Sequence, residues 1–247
     1  MQRPLATLAL VVLAALTLAC GPGGDSPAVD TAGVSDIELG ADENGQPMDT
    51  QGCMIADSAG GYTWRCRVGR HLVARVTPSY AAPDSNGSRA LQWLVVRYEG
   101  ALAPRRTDSL EFGEYMNRLE PYDVSTADLD GDGWADLRLR HHYGIAANEG
   151  HYVWRWQPSG KRFAWDGLLS EETNVSPDST GCVQTFGSIG HGGQDQIETH
   201  YCLTNDEWVE VARREQQWSD SLGGAWETYY ERRGDSLVVV REGPAQE

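Results

Sequence analysis

Apolar and polar residues alternate in short runs along most of this chain. Runs with a two-residue period, rich in aromatic and β-branched side chains, occupy 62–68, 71–77, 91–98, 134–142, 151–157, 162–165, 182–189, 196–203, 208–216, 225–232 and 236–241. A two-residue period places alternate side chains on opposite faces of a strand. Gly, Asn, Asp or Pro punctuates most of the gaps, as turns between antiparallel strands require. The pattern predicts an all-β fold of propeller-like or barrel-like antiparallel sheets. One stretch, 113–119, has weak helical spacing, and no repeat recurs at a fixed period.

The first fifty residues follow different patterns. Arg3 is the one charge in 1–20 and precedes an apolar run over 5–19. That run is shorter than the ~20 residues a permanent membrane helix needs, and its basic start and small-residue end fit a secretion signal. Its end, Leu16-Thr17-Leu18-Ala19-Cys20, resembles the lipobox of bacterial lipoproteins. The resemblance implies removal of residues 1–19 and lipidation of Cys20. Residues 20–51 are rich in Gly, Pro, Ala, Asp and Ser, lack apolar periodicity, and are expected to form a flexible tether. The β domain is then 52–247. Gly21 replaces the Asp that often retains such lipoproteins in an inner membrane, so a lipid-anchored site on the outer membrane, facing the periplasm, is expected.

Charge narrows the choice of partner. The formal net charge is −16, and Lys161 is the one lysine among twenty basic residues. Such a surface repels nucleic acid and suits a basic protein partner. Besides Cys20 there are four cysteines, Cys53, Cys66, Cys182 and Cys202. An even number in an exported chain implies two disulfides. Three connectivities are possible. The local pairs Cys53–Cys66 and Cys182–Cys202 are favoured, because each flanks a plausible hairpin, and the spacings are not those of a zinc site.

The strongest chemical signal is Asp128-Leu-Asp130-Gly-Asp132-Gly133-Trp134-Ala-Asp136. It matches the start of a calcium loop, D-x-D-x-D-G-x-x-D. Ca2+ is a hard cation that takes six to eight oxygens. Asp128, Asp130 and Asp132 would offer side-chain oxygens, Trp134 its carbonyl, and Asp136 a direct or water-bridged carboxylate. Gly133 permits the tight turn. The bidentate Glu of a full EF-hand is replaced by Leu139, and an alternating strand pattern follows in place of a helix. The loop therefore resembles the calcium-binding inter-strand turns of integrin-type propellers. Millimolar affinity, suited to calcium outside the cytoplasm, is expected.

Downstream of the loop come Gly144, Asn148, Tyr152-Val-Trp154-Arg-Trp156-Gln-Pro158-Ser-Gly160-Lys-Arg-Phe163, Leu168-Leu169-Ser170, Asn174 and a glycine-rich 187–193. Over 128–203 this order resembles a family of periplasmic calcium-loop lipoproteins with a propeller-like β fold. Its best understood members are immunity proteins that inhibit lysozyme-like peptidoglycan hydrolases, related in fold to inhibitors of invertebrate-type lysozyme. The resemblance implies a loop inserted into a hydrolase cleft. Here that loop is 188–193, with Ser188 and His191 as candidate contacts, and it lacks the family's usual Tyr.

Signals for catalysis are sparse. The chain has no GxSxG, HExxH or CxxC. His141 and His142 are adjacent, which in a strand directs them to opposite faces. Glu171-Glu172 reads as a solvated loop, and Arg233-Gly234-Asp235 as a tight turn. The expected role is a non-catalytic envelope lipoprotein that binds a protein partner and inhibits a lysozyme-like peptidoglycan hydrolase. The alternative is a structural, calcium-binding envelope lipoprotein without inhibition. An envelope hydrolase ranks third.

Overall fold

The computed structural model describes residues 52–56, 62–112, 119–144 and 147–245. The expected signal peptide, Cys20 and the tether lie outside these residues, as does nearly all of the expected helix at 113–119. Among the described residues, no helix is long and apolar enough to cross a membrane.

Among the described residues, fifteen strands form three antiparallel sheets, each pairing its strands in sequence order. The first sheet contains β1 (Cys53–Ala56), β2 (Thr63–Gly69), β3 (Leu72–Tyr80), β4 (Leu91–Glu99) and β5 (Thr107–Leu110). The second contains β6 (Val124–Ala127), β7 (Asp136–Tyr143), β8 (Glu149–Gln157) and β9 (Arg162–Asp166). A short helix, α1 (Gly167–Glu171), follows. The third sheet contains β10 (Ser176–Pro177), β11 (Val183–Gly190), β12 (Asp195–Thr204), β13 (Glu207–Ser219), β14 (Gly224–Arg233) and β15 (Ser236–Pro244). Each sheet has the meander connectivity of a propeller blade. The barrel-like option is corrected: every sheet ends in two different edge strands, so none closes on itself.

The main core lies between the first two sheets. Trp64, Leu72, Val76, Leu94 and Val96 meet Leu137, Leu139, Trp154, Trp156 and Phe163 there. Burial of side chains this large dominates the stability of the pair. Trp64 also satisfies its indole, donating from Nε1 to the Pro121 carbonyl at 2.7 Å. β8 is covered on both faces. Tyr152, Trp154 and Trp156 enter the main core. Val153, on the other face, enters a second cluster with Leu129, Leu169, Val175 and Val183, against which Tyr201 and Trp208 pack.

His151 shares that second face and is buried. Burial, together with the Arg138, His141 and Arg140 charges, lowers its pKa to about 3. Glu149 Oε1, 3.7 Å from Nε2, does not offset this. The folded pKa lies below the unfolded value of ~6.5, so below pH ~6.5 the unfolded chain takes up a proton that the folded chain refuses. The stability this contributes is complete above pH ~6.5 and is lost as pH falls toward 3, by ~1.4 kcal/mol per unit. Between pH 7 and 5 the wild type should therefore lose about 2 kcal/mol more than His151→Gln in urea titrations. Equal losses would contradict the assignment.

The outer half of the third sheet has no comparable core. No apolar residue of β13–β15 is buried, and the strands are cross-linked by polar contacts instead. Arg214 bridges Glu198 and Glu227 at 3.2 and 2.9 Å. Arg241 lies 3.7 Å above the Tyr229 ring. Both favoured disulfides are formed, Cys53–Cys66 and Cys182–Cys202. The first joins residues directly opposite each other on β1 and β2.

Candidate metal loop and hairpin tip

The acidic segment connects β6 to β7 and coils as the spacing requires. Gly131 and Gly133 adopt φ of 71° and 84°, a region that side chains rarely enter. Three backbone amides turn inward to the carboxylates. Gly133 N donates to Asp128 Oδ2 at 3.0 Å, Asp132 N to Asp130 Oδ1 at 3.3 Å, and Trp134 N to Asp132 Oδ1 at 2.8 Å. As a result Asp128, Asp130 and Asp132 converge, with one oxygen from each inside a 4.8 Å span. Asp128 Oδ1 is buried with no hydrogen-bond partner. Three converging carboxylates and an orphaned buried oxygen fit a hard divalent cation. Burial, with the charges of Asp130 and Asp128, pushes the Asp132 pKa up to about 6. A cation would remove that penalty.

Asp136 lies outside this trio. It is fully buried, and its two oxygens accept the Trp156 and Leu129 amides at 2.8 and 3.0 Å. Burial raises its pKa to about 8. In this geometry Asp136 clamps the loop to β8. Trp134 contributes its ring as well as its amide. The ring sits where a Cβ on Gly69 would be, 2.5 Å from the nearest ring atom, and it packs against the main core. Ala135 N donates to the Val68 carbonyl at 2.8 Å. On the opposite side, Gly131 abuts Gly181 so closely that a Cβ would lie 3.0 Å from its Cα. Leu129 is fully buried in the second cluster. The loop thus touches all three sheets.

The predicted contact loop is the tip of the β11–β12 hairpin. Cys182–Cys202 closes its base, where Val183 pairs with Tyr201. At the tip, Ser188 is held by a two-way bond. Asn148 Nδ2 donates to the Ser188 carbonyl at 2.7 Å, and Ser188 N donates to Asn148 Oδ1 at 2.9 Å. His191 is exposed, has φ 46°, and pairs through Nδ1 with Asp195 Oδ2 at 2.7 Å. That carboxylate raises the imidazole pKa. Ile189, which sequence reasoning passed over, is 71 % exposed. That exposure is visible only in the fold.

A cleft of about 590 Å³ is lined by Glu120, Tyr122, Arg140, His141, His142 and Tyr143. Tyr143 is 69 % exposed. Arg140 is not free, since it binds Asp123 at 2.6 Å and lies 4.3 Å from the Tyr122 ring. His141 stacks on Tyr152 at 4.3 Å, and the register slips between Arg140 and His142. The expected strict alternation of the two histidines is interrupted there. Glu172 accepts the Tyr201 hydroxyl at 2.8 Å, which gives one member of the acidic pair a structural role.

Fold and loop together define an all-β domain of three meander sheets around an acidic loop that could hold a metal ion. No protein-family model matches the chain, and no curated protein does. Among solved structures, it is similar to a Xanthomonas type IV secretion system related protein. The TM-score is 0.54 at 17 % identity, over 76 % of this chain and 98 % of that one. At this identity the likeness shows the fold alone.

Proposed function

We propose that the chain is a non-catalytic, lipid-anchored envelope protein. Its calcium-stabilised β domain binds and inhibits a lysozyme-like peptidoglycan hydrolase. The observation that carries this reading is the β11–β12 tip, an exposed Ile189 beside His191 on a hairpin fixed by a disulfide at its base and by Asn148 near its tip. An exposed element already held in one conformation loses little entropy on binding. Tyr143, at the mouth of a separate cleft, is a second exposed aromatic surface. The net charge of −16 favours a basic partner. The lipobox-like segment at Cys20 and the secretion-system association of the structural neighbour suit an envelope location. Calcium is the cation that best fits an all-oxygen loop of this spacing.

The test is binding to a panel of lysozymes of different types, measured by biolayer interferometry. Ile189→Asp with His191→Ala should weaken binding at least about tenfold, the effect of losing one hot spot, with an unchanged melting temperature. No binding to any member, or equal binding by the variant, would count against the reading. A second reading, a scaffolding lipoprotein without inhibition, is favoured by the absence of Tyr from 188–193. It predicts envelope defects on deletion with no hydrolase present.

A further inference from the structure

Arg155 occupies a polar-looking position in the aromatic strand β8, yet its side chain is only 12 % exposed. Its guanidinium meets three carboxylates from three places. Nε binds Asp166 Oδ2 at 2.7 Å, and the other contacts are to Asp206 Oδ1 at 3.1 Å and Asp130 Oδ2 at 3.5 Å. Asp166 caps α1 through Leu169 N and also accepts the Trp208 indole at 2.6 Å. Asp206 lies in the turn between β12 and β13. Arg155 therefore joins the acidic loop to the turn that follows β12, the second strand of the β11–β12 hairpin. A second connection runs through packing: Leu129, inside the loop, shares one buried cluster with Val183. Val183 is next to Cys182, and Gly181 touches Gly131.

We propose that Arg155 is a positioning residue that couples cation binding at Asp128, Asp130 and Asp132 to the order of the β11–β12 hairpin. The inference rests on the metal reading given above. A cation fixes the loop, the fixed loop holds Leu129 and Asp130 in place, and these hold the base of the hairpin through Val183 and through Arg155 to Asp206. Coupling of this kind is reciprocal, so loosening the hairpin weakens cation binding by the same factor. A guanidinium suits the role because its planar fork serves several carboxylates at once, which an ammonium does not.

Amide hydrogen exchange of the full chain, with millimolar calcium against chelator, tests the coupling, with binding followed independently by calorimetry. Calcium should slow exchange in 128–136 and in 183–204 together, by at least about fivefold. In Arg155→Met the slowing at 128–136 should persist while that at 183–204 shrinks by more than half. Should Arg155→Met fail to fold, Asp206→Gly removes the direct ion pair to the β12–β13 turn at an exposed residue whose φ of 68° suits glycine, and it should show the same split. Slowing confined to 128–136 in the wild type, or full slowing of 183–204 in both variants, would overturn the coupling and leave the metal site standing. No heat of binding and no slowing anywhere would overturn both.

Discussion

Removing calcium should lower the melting temperature by about 5–10 °C. The size follows from linkage. A ligand held only by the folded state adds RT ln(1 + [L]/Kd), or ~2.7 kcal/mol at a hundredfold excess over Kd, which for a millimolar site is reached at about 0.1 M calcium. For a domain of this size each kcal/mol shifts the midpoint by roughly 2–4 °C. The structure explains why the effect should be global. Trp134 packs over Gly69 of the first sheet, Asp136 holds the Trp156 amide of the second, and Gly131 abuts Gly181 beside the third. Asp128→Ala should abolish the calcium response, because it deletes the orphaned oxygen and one of three converging carboxylates. In chelator the variant should melt close to the wild type, since relief of repulsion among the acids offsets the lost Gly133 amide bond. Identical melting curves with calcium and with chelator would contradict the metal assignment.

Loss of the Cys182–Cys202 disulfide should cost about 3 kcal/mol. The bridge spans 20 residues, and closing a loop of that length removes roughly this much unfolded-state entropy. The corresponding fall in midpoint is about 6–12 °C. The cost should be felt at the hairpin first, because the third sheet has little apolar core to compensate. Limited proteolysis of Cys182→Ala/Cys202→Ala should cut within 183–204 before the first two sheets are attacked. An unchanged midpoint in thermal unfolding would contradict this cost.

Much of this architecture was legible because half-buried strands write their pleat into the sequence. β2, β3, β4, β7, β8 and β9 fall within a few residues of the alternating runs, and so do β11 to β15. Cysteines flanking hairpins favoured both disulfides, and the glycine at the sixth loop position permitted the tight turn, which the chain makes with φ 84° there. The elements that escaped notice are short or buried on both sides. β6 reads Val-Ser-Thr-Ala with its first three residues buried, so it shows no alternation. β5 has four residues and α1 has five, too few for a period to register. The site was partly legible for a related reason. Aspartates at ligand spacing look alike in sequence, and only the fold shows that three converge while Asp136 clamps backbone amides. The role of Arg155 was not legible, because its three carboxylate partners are 11 to 51 positions away.

Inhibition of a cell-wall hydrolase, the function proposed above, is tested most directly by an activity assay. Purified lysozymes of different types would be assayed for clearing of peptidoglycan suspensions as the full chain is titrated in the presence of calcium. The account predicts that at least one enzyme is inhibited to completion near one equivalent, and that Ile189→Asp with His191→Ala fails to inhibit it. Undiminished clearing by every enzyme at a large molar excess of the folded, calcium-loaded protein would contradict the account.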